Sequence, residues 1–318
     1  RYHDLGVRAI FPVHKYDNAF SAGDGDRNFI EVGNVFNSGH LSNFVTGDCP
    51  DVPSVFDRGP VIFGGLNAPR DDYFAPPPFD LSTFPDDPIG AATPFLSSFS
   101  EPPLEGDYCQ NAGLTELGEF LVRQLMDRGM IVEIDHLPRR SYARAFELLA
   151  EAGYPAMGTH GNSNNGLIYE HGGGSKFSFR RCRDAGAPGA ILRSLRDRLA
   201  QRETFGAFPA EGLGFDLNGF AGARAGRFEP GGCPDPQDGP TTYPFTSWAG
   251  DVTFTEPQLG SRRVDFDQEG FVHIGLLPEL LDDARRDAVS DEEMEAIFRS
   301  AEGYLRMWER AIEVAGKR

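Results

Sequence analysis

The sequence predicts an α/β fold of parallel strands joined by helices, and two observations lead to it. The first is a pair of apolar segments, MIVEIDH (130–136) and PAMGTHGNSNN (155–165), that carry His136 and His160 where a strand gives way to a loop. The second is the helix-like stretch 138–152 between them. Strand, helix and strand in that order make a right-handed βαβ unit with parallel strands. Both histidines then sit at the C-terminal ends of neighbouring strands, where barrels and open α/β sheets carry their chemistry. Two imidazoles converging there suit a metal such as zinc, at Zn–N distances of about 2.0–2.1 Å. Taken singly, either histidine reads as a polar residue opening a loop. Their matching positions in successive units favour the metal.

The elements follow in chain order. GVRAIFPVH (6–14) reads as a buried strand ending in a third histidine, His14. Residues 21–113 show no helical periodicity, and 12 of the 24 prolines fall between Pro50 and Pro103, so this stretch is an inserted loop. A loop of that length in a compact domain is normally functional or a lid. Regular structure resumes with a helix whose stripe is Leu114, Leu117, Leu121 and Leu125, closed by Gly129 in the position after the cap. The strand Met130–Asp135, the helix over 138–152 and the strand before His160 come next. A helix near 189–203 leads into GLGFDLNGF, a further strand-to-loop switch that carries Asp216. Residues 222–270 are a second loop-rich insertion. The last helix opens with a capping box, Ser290 and Glu293, and turns Met294, Ile297, Ala301, Leu305 and Trp308 to the core.

Composition bounds the function classes. A chain of 318 residues with 40% hydrophobic residues and 26 Phe can bury a substantial core. No run of eighteen apolar residues occurs, so no membrane span is expected. A net charge of −18 argues against nucleic acid and anionic membranes as partners. The chain opens on Arg1 without a Met or an apolar signal segment, which reads as a processed, trimmed or fragmentary chain. The four cysteines form no CxxC, and all lie in Gly/Pro-rich loops. An even number of loop cysteines reads as two disulfides, Cys49–Cys109 and Cys182–Cys233, and hence as secretion into an oxidising compartment. The alternative is four reduced thiols.

His14, His136, His160 and Asp216 all fall where a strand becomes a loop, and in a parallel barrel those ends ring one cavity. A metal held by histidines lowers the pKa of bound water to about 7. A carboxylate nearby can take up the proton and pass it to a leaving amine, and Asp216 is the candidate. The competing reading of Asp216 is a turn-capping Asp before Asn218-Gly219. Asp135, adjacent to His136 on a strand, should point to the opposite face and pack outside the barrel. His273 reads as a structural histidine. His3, His40 and His171 lie in loops without a positional argument.

The order YHDLGVRAIFPVH, LTELGEFLVRQLMDRGMIVEIDH, PAMGTHGNSN, GLGFDLNG resembles the renal (membrane) dipeptidase family of the amidohydrolase superfamily. The similarity covers residues 2–18, 114–165, 212–219 and, weakly, 271–310. It implies a (β/α)8 TIM-type barrel, here partial with about five visible strands, spread over 1–318 as one domain. It also implies two zinc ions and hydrolysis of dipeptides or related small amides, as in a metalloprotease. Residue by residue, His136 and His160 match the ligands of the second, more exposed metal, and Asp216 matches the aspartate that handles the catalytic proton. His14 matches a histidine that contacts the substrate carbonyl. Arg181, with Arg180 beside it, is nearest to the arginine that holds the substrate carboxylate.

Three departures accompany the resemblance. The family's first-strand His-x-Asp pair and its metal-bridging glutamate have no counterpart before His14, and the first glutamate is Glu31. The chain therefore reads as the C-terminal portion of a barrel whose missing N-terminal segment is a possible partner. Ser-His-Ser has become Thr-His-Gly, and DFDG has become DLNG. Two alternatives stand beside the dipeptidase expectation. One is a degenerate barrel serving as a non-catalytic binding or cell-surface module. The other is a lactonase, deacetylase or D-amino-acid amidase on the same barrel.

Overall fold

A computed structural model describes residues 1–24, 37, 44–52, 57, 106–160, 166–184, 187–218, 222–234 and 239–317. The chain is α/β and divides into two compact units, Arg1–Gly174 with Leu305–Arg318, and Ser175–Tyr304. Most of the insertion expected over 21–113 lies outside the described residues, as do the segment 161–165 after His160 and Gly219 after Asp216.

In the first unit three parallel strands carry the architecture. They are β1 (Ala9–Ile10), β4 (Ile131–Glu133) and β5 (Ala156–Gly158). Ala9 is in register with Ile131 and Ile10 with Val132, and on the other side Val132 pairs with Ala156 and Glu133 with Met157. β4 is wholly buried, as a strand paired on both sides and covered on both faces must be. Between β1 and β4 the chain makes an antiparallel pair, β2 (Phe44–Thr46) with β3 (Tyr108–Gln110). Cys109 lies opposite Val45 in that pair and bonds Cys49 across 5.8 Å between Cα atoms.

Two helices flank the strands. Helix α1 (Glu116–Met126) starts at Thr115, whose side chain accepts from the Gly118 amide. Its buried line is Gly118, Val122, Leu125 and Met126, while Leu117 of the expected leucine stripe is exposed. Gly118 sets that choice. A Cβ there would lie 2.0 Å from the Phe20 carbonyl oxygen, so this face alone approaches the neighbouring backbone. The helix closes as expected, with Gly129 at φ +63° and the amides of Gly129 and Met130 turned back to Met126 and Leu125. Helix α2 (Arg139–Ala152) has Pro138 at its N-cap and makes no side-chain cap of its own. Asp57 supplies the acceptor instead, taking the amides of Arg139 and Gln110 at 3.1 and 3.0 Å. A carboxylate is favoured there by the helix dipole. The helices are tied by a bidentate ion pair from Arg144 to Glu119 at 2.7 and 2.8 Å. A short helix, α3 (Gly166–Glu170), follows β5.

The second unit is built on another parallel pair, β6 (Gly174–Phe177) with β7 (Gly212–Leu213), joined through α4 (Arg193–Thr204). Phe177, Phe179, Leu192, Leu195, Phe271 and Leu276 belong to its buried core. The insertion at 222–270 is more ordered than a loop reading implies. It holds two small antiparallel pairs, β8 (Phe245–Thr246) with β9 (Thr253–Phe254) and β10 (Gln258–Leu259) with β11 (Arg262–Arg263), then a turn of helix, α5 (Phe266–Glu269). Cys182 and Cys233 bond with Cα atoms 5.4 Å apart, so both expected disulfides are present. Helix α6 (Leu277–Asp287) follows a 3-10 turn that His273 caps by accepting from the Gly275 amide at 2.9 Å, a structural role as expected.

The single C-terminal helix read from sequence is two, α7 (Asp291–Phe298) and α8 (Ser300–Ala315). The expected stripe holds for Met294 and Ile297 and then fails, with Leu305 exposed. The break at Arg299 rotates the buried line onto Met307, Ala311 and Val314. The capping box is also replaced. Ser290 makes no bond to a helix amide, and Glu293 accepts from Val289 at 2.9 Å and pairs with Arg196.

Free-thiol titration of the denatured, unreduced protein should find essentially none, and breaking either disulfide should cost about 2–4 kcal/mol in denaturant unfolding. Gly118→Ala should destabilise by more than about 1 kcal/mol, although alanine is the better helix former by about that amount. A neutral or stabilising result would refute the close approach to Phe20.

Candidate metal centre

Adjacent parallel strands present three histidines at one edge. His14 follows β1, His136 follows β4 and His160 follows β5, all at C-terminal ends. Each offers a ring nitrogen, and these nitrogens lie within 4.8 Å of one another. The His136 and His160 ring centroids are 4.2 Å apart, with His14 at 3.9 Å from the first and 5.3 Å from the second. A tetrahedral ion with bonds of about 2.1 Å separates its ligand nitrogens by about 3.4 Å, so small side-chain rotations close the set. Phe11 walls one side, 5.9 Å from His14 and 6.1 Å from His136.

His136 is the fixed member. It is 1% exposed, and its Nδ1 lies 2.6 Å from Asp24 Oδ2, itself buried and also accepting from Lys15 Nζ at 3.1 Å. With Nδ1 on the carboxylate, Nε2 is the nitrogen left to present to an ion. Carboxylate, imidazole and metal in line is the usual arrangement behind metal-ligating histidines. Asp24 was not legible as a site residue. It lies in a Gly-rich loop ten residues beyond His14, and only closure of that loop brings it under His136.

The backbone of His136 has φ +66°, the left-handed region that non-glycine residues seldom occupy. Asp135, expected to pack on the far face, precedes that turn by one residue. It is fully buried, and its Oδ2 accepts from the His160 amide at 2.5 Å. Two residues earlier, Glu133 accepts from the amide and hydroxyl of Thr159 at 3.0 and 2.5 Å. The carboxylates at and just beyond the end of β4 thereby hold the end of β5 where His160 begins.

The electrostatics suit a cation. Burial first, and then the neighbouring rings of His136 and His160 whenever they take up a proton, hold the His14 pKa down at about 4, which leaves it a neutral imidazole at pH 7. Burial first, and the charge of Asp135 second, raise Glu133 well above the ordinary carboxylate range. Three imidazoles with a carboxylate behind one of them are a donor set that zinc accepts, leaving a fourth position open.

The other expected site residues belong to the second unit. Asp216 follows β7, is exposed, and like His136 adopts a left-handed backbone, φ +56°. Left-handed non-glycine residues are uncommon and gather at functional positions. Arg181 is committed elsewhere: its Nη2 meets Glu229 Oε1 at 2.7 Å, and its Nε donates to the Gly226 carbonyl at 3.1 Å.

Glu133 gives a pH-dependent stability whose sign is fixed. Its folded pKa lies above its unfolded value, so the protonated carboxyl stabilises fully below the unfolded value. That contribution is lost as pH rises towards the folded one. Denaturant midpoints at about pH 5 and about pH 8 should fall more for the native protein than for Glu133→Gln, by at least about 1 kcal/mol. Equal falls would remove Glu133 as the cause. No protein-family model matches this chain, and no curated protein matches it either.

Proposed function

We propose that the first unit holds a zinc ion for hydrolysis of small amides, peptides among them, in a protein exported to an oxidising compartment. The observation that carries this reading is the three-histidine cluster at the ends of β1, β4 and β5, with Asp24 behind His136. It agrees with the resemblance to the renal dipeptidases and adds His14 to the two histidines that the resemblance assigns to metal. The two disulfides support the compartment.

When bound, zinc supplies water made acidic enough to ionise near neutral pH and a positive charge for a substrate carbonyl. The chain's own residues do the rest. Asp24 keeps the proton on His136 Nδ1 and so fixes which nitrogen faces the ion. Asp135 holds the His160 amide and Glu133 the Thr159 amide before it. Phe11 keeps one side of the cluster dry. The resemblance assigns the proton transfer to Asp216, a residue of the second unit, and that role rests on the resemblance. Carboxylate capture by Arg181 is not part of the proposal, because Glu229 already occupies that guanidinium. The substrate class is therefore small amides rather than free dipeptides alone.

Metal analysis tests the reading. The protein purified without chelator should retain about one zinc, and His136→Ala or His160→Ala should lose most of it. Asp24→Asn should weaken zinc by about 10–100-fold, the usual effect of removing such a partner. Asp216→Asn should keep the zinc and lose turnover on a panel of dipeptides and N-acyl amides. No retained zinc, or zinc unaffected by His136→Ala, would overturn the proposal.

A further inference from the structure

The second unit carries an arginine-lined cleft that the hydrolase reading does not use. Arg180, Arg181, Arg224 and Arg227 line it, together with Asp267 and Asp283. In a chain of net charge −18 such a gathering of cations requires an explanation. Three of the four have carboxylate neighbours. Arg180 lies 3.5 Å from Asp184, Arg181 is bound to Glu229, and Arg227 Nη2 is 2.7 Å from Asp283. Arg224 meets no carboxylate among the described residues, although it is part-buried.

Arg224 and Arg227 each lie over an aromatic face. Arg224 lies over the Phe215 ring at 5.8 Å and Arg227 over Phe228 at 5.1 Å. A stacked guanidinium keeps its N–H groups pointing outward in its own plane, the geometry that meets two oxygens at once. Arg227 is 5% exposed, and while its Nη2 lies against Asp283, its Nε and Nη1 make no hydrogen bond among the described residues. Buried donors left unsatisfied are costly, and a ligand oxygen is one way to satisfy them.

The walls are rigid. The Cys182–Cys233 disulfide fastens the segment of Arg180 and Arg181 to the chain just beyond Arg227. Cys233 donates its amide to the Arg227 carbonyl at 2.8 Å, and Phe228 donates to Asp267 at 2.9 Å. Phe271 donates to the Arg224 carbonyl at 2.7 Å, an approach that requires Gly270, where a Cβ would fall 1.8 Å from the same oxygen. Preorganised donors lose little entropy on binding.

We infer that this cleft binds a compact oxyanion, a phosphate or carboxylate group of a small ligand, between the edges of Arg224 and Arg227. The site stands apart from the zinc proposal and does not rest on it.

Titration of the intact, oxidised protein by calorimetry and thermal shift tests the inference. The probes are inorganic phosphate and acetate, with chloride at matched ionic strength as the control. We expect saturable stabilisation by at least one oxyanion and not by chloride, and the stronger of the two identifies the group. Arg224→Gln, at a position that meets no carboxylate among the described residues, should weaken that binding at least tenfold while unfolding at a similar temperature without the anion. Arg227→Gln should do the same, but it removes one of the buried ion pairs of Asp283, so Arg224→Gln decides. Equal effects of oxyanion and chloride, or undiminished binding by Arg224→Gln, would overturn the site.

Discussion

The histidine cluster depends on β4 being paired on both sides. That strand fixes β1 on one edge and β5 on the other, and each strand releases its histidine at the same end. Glu133 at the end of β4 and Asp135 just beyond it tether β5, so this segment supplies both the spacing between imidazoles and the hold on one of them. Burying Glu133 and Asp135 is expensive, and the raised pKa of Glu133 shows how the cost is relieved: a proton stays on the carboxyl. The same carboxylates accept amides and a hydroxyl that would otherwise end a buried strand without partners.

Much of this was legible in the sequence. An apolar run ending in histidine, a helical stretch and a second such run specify a βαβ unit, and the unit specifies that His136 and His160 share an edge. The disulfide pairing also followed from where the cysteines stand. What could not be read is how a backbone leaves regular structure. The strand over 130–135 ends at Glu133, and a left-handed turn at His136 follows. Periodicity carries no signal for such a turn at a non-glycine residue.

The helices make the same point differently. The leucines at 114, 117, 121 and 125 form a stripe, but Gly118 defines the buried face, because close backbone approach outweighs side-chain hydrophobicity at that contact. In the C-terminal region the stripe is right up to Ile297. It then fails because a one-residue interruption at Arg299 resets the helical phase. Asp24 and Asp57 were invisible for a third reason. Each is a loop carboxylate that acts on a distant element, and nothing local marks it.

The antiparallel pair β2–β3 and the Cys49–Cys109 bond have a consequence for how this chain varies over time. They join two points 60 residues apart in sequence, and Asp57, Arg139 and Asp107 knit that junction to the start of α2. Once the ends of a segment are fastened, lengthening it costs little, since doubling a loop adds only about 0.6 kcal/mol of closure entropy. Insertions and deletions between these two cysteines can therefore accumulate while the strand-end histidines keep their places. The fastening makes this stretch a tolerant site for evolutionary change, and a natural place for an engineer to graft a new recognition segment.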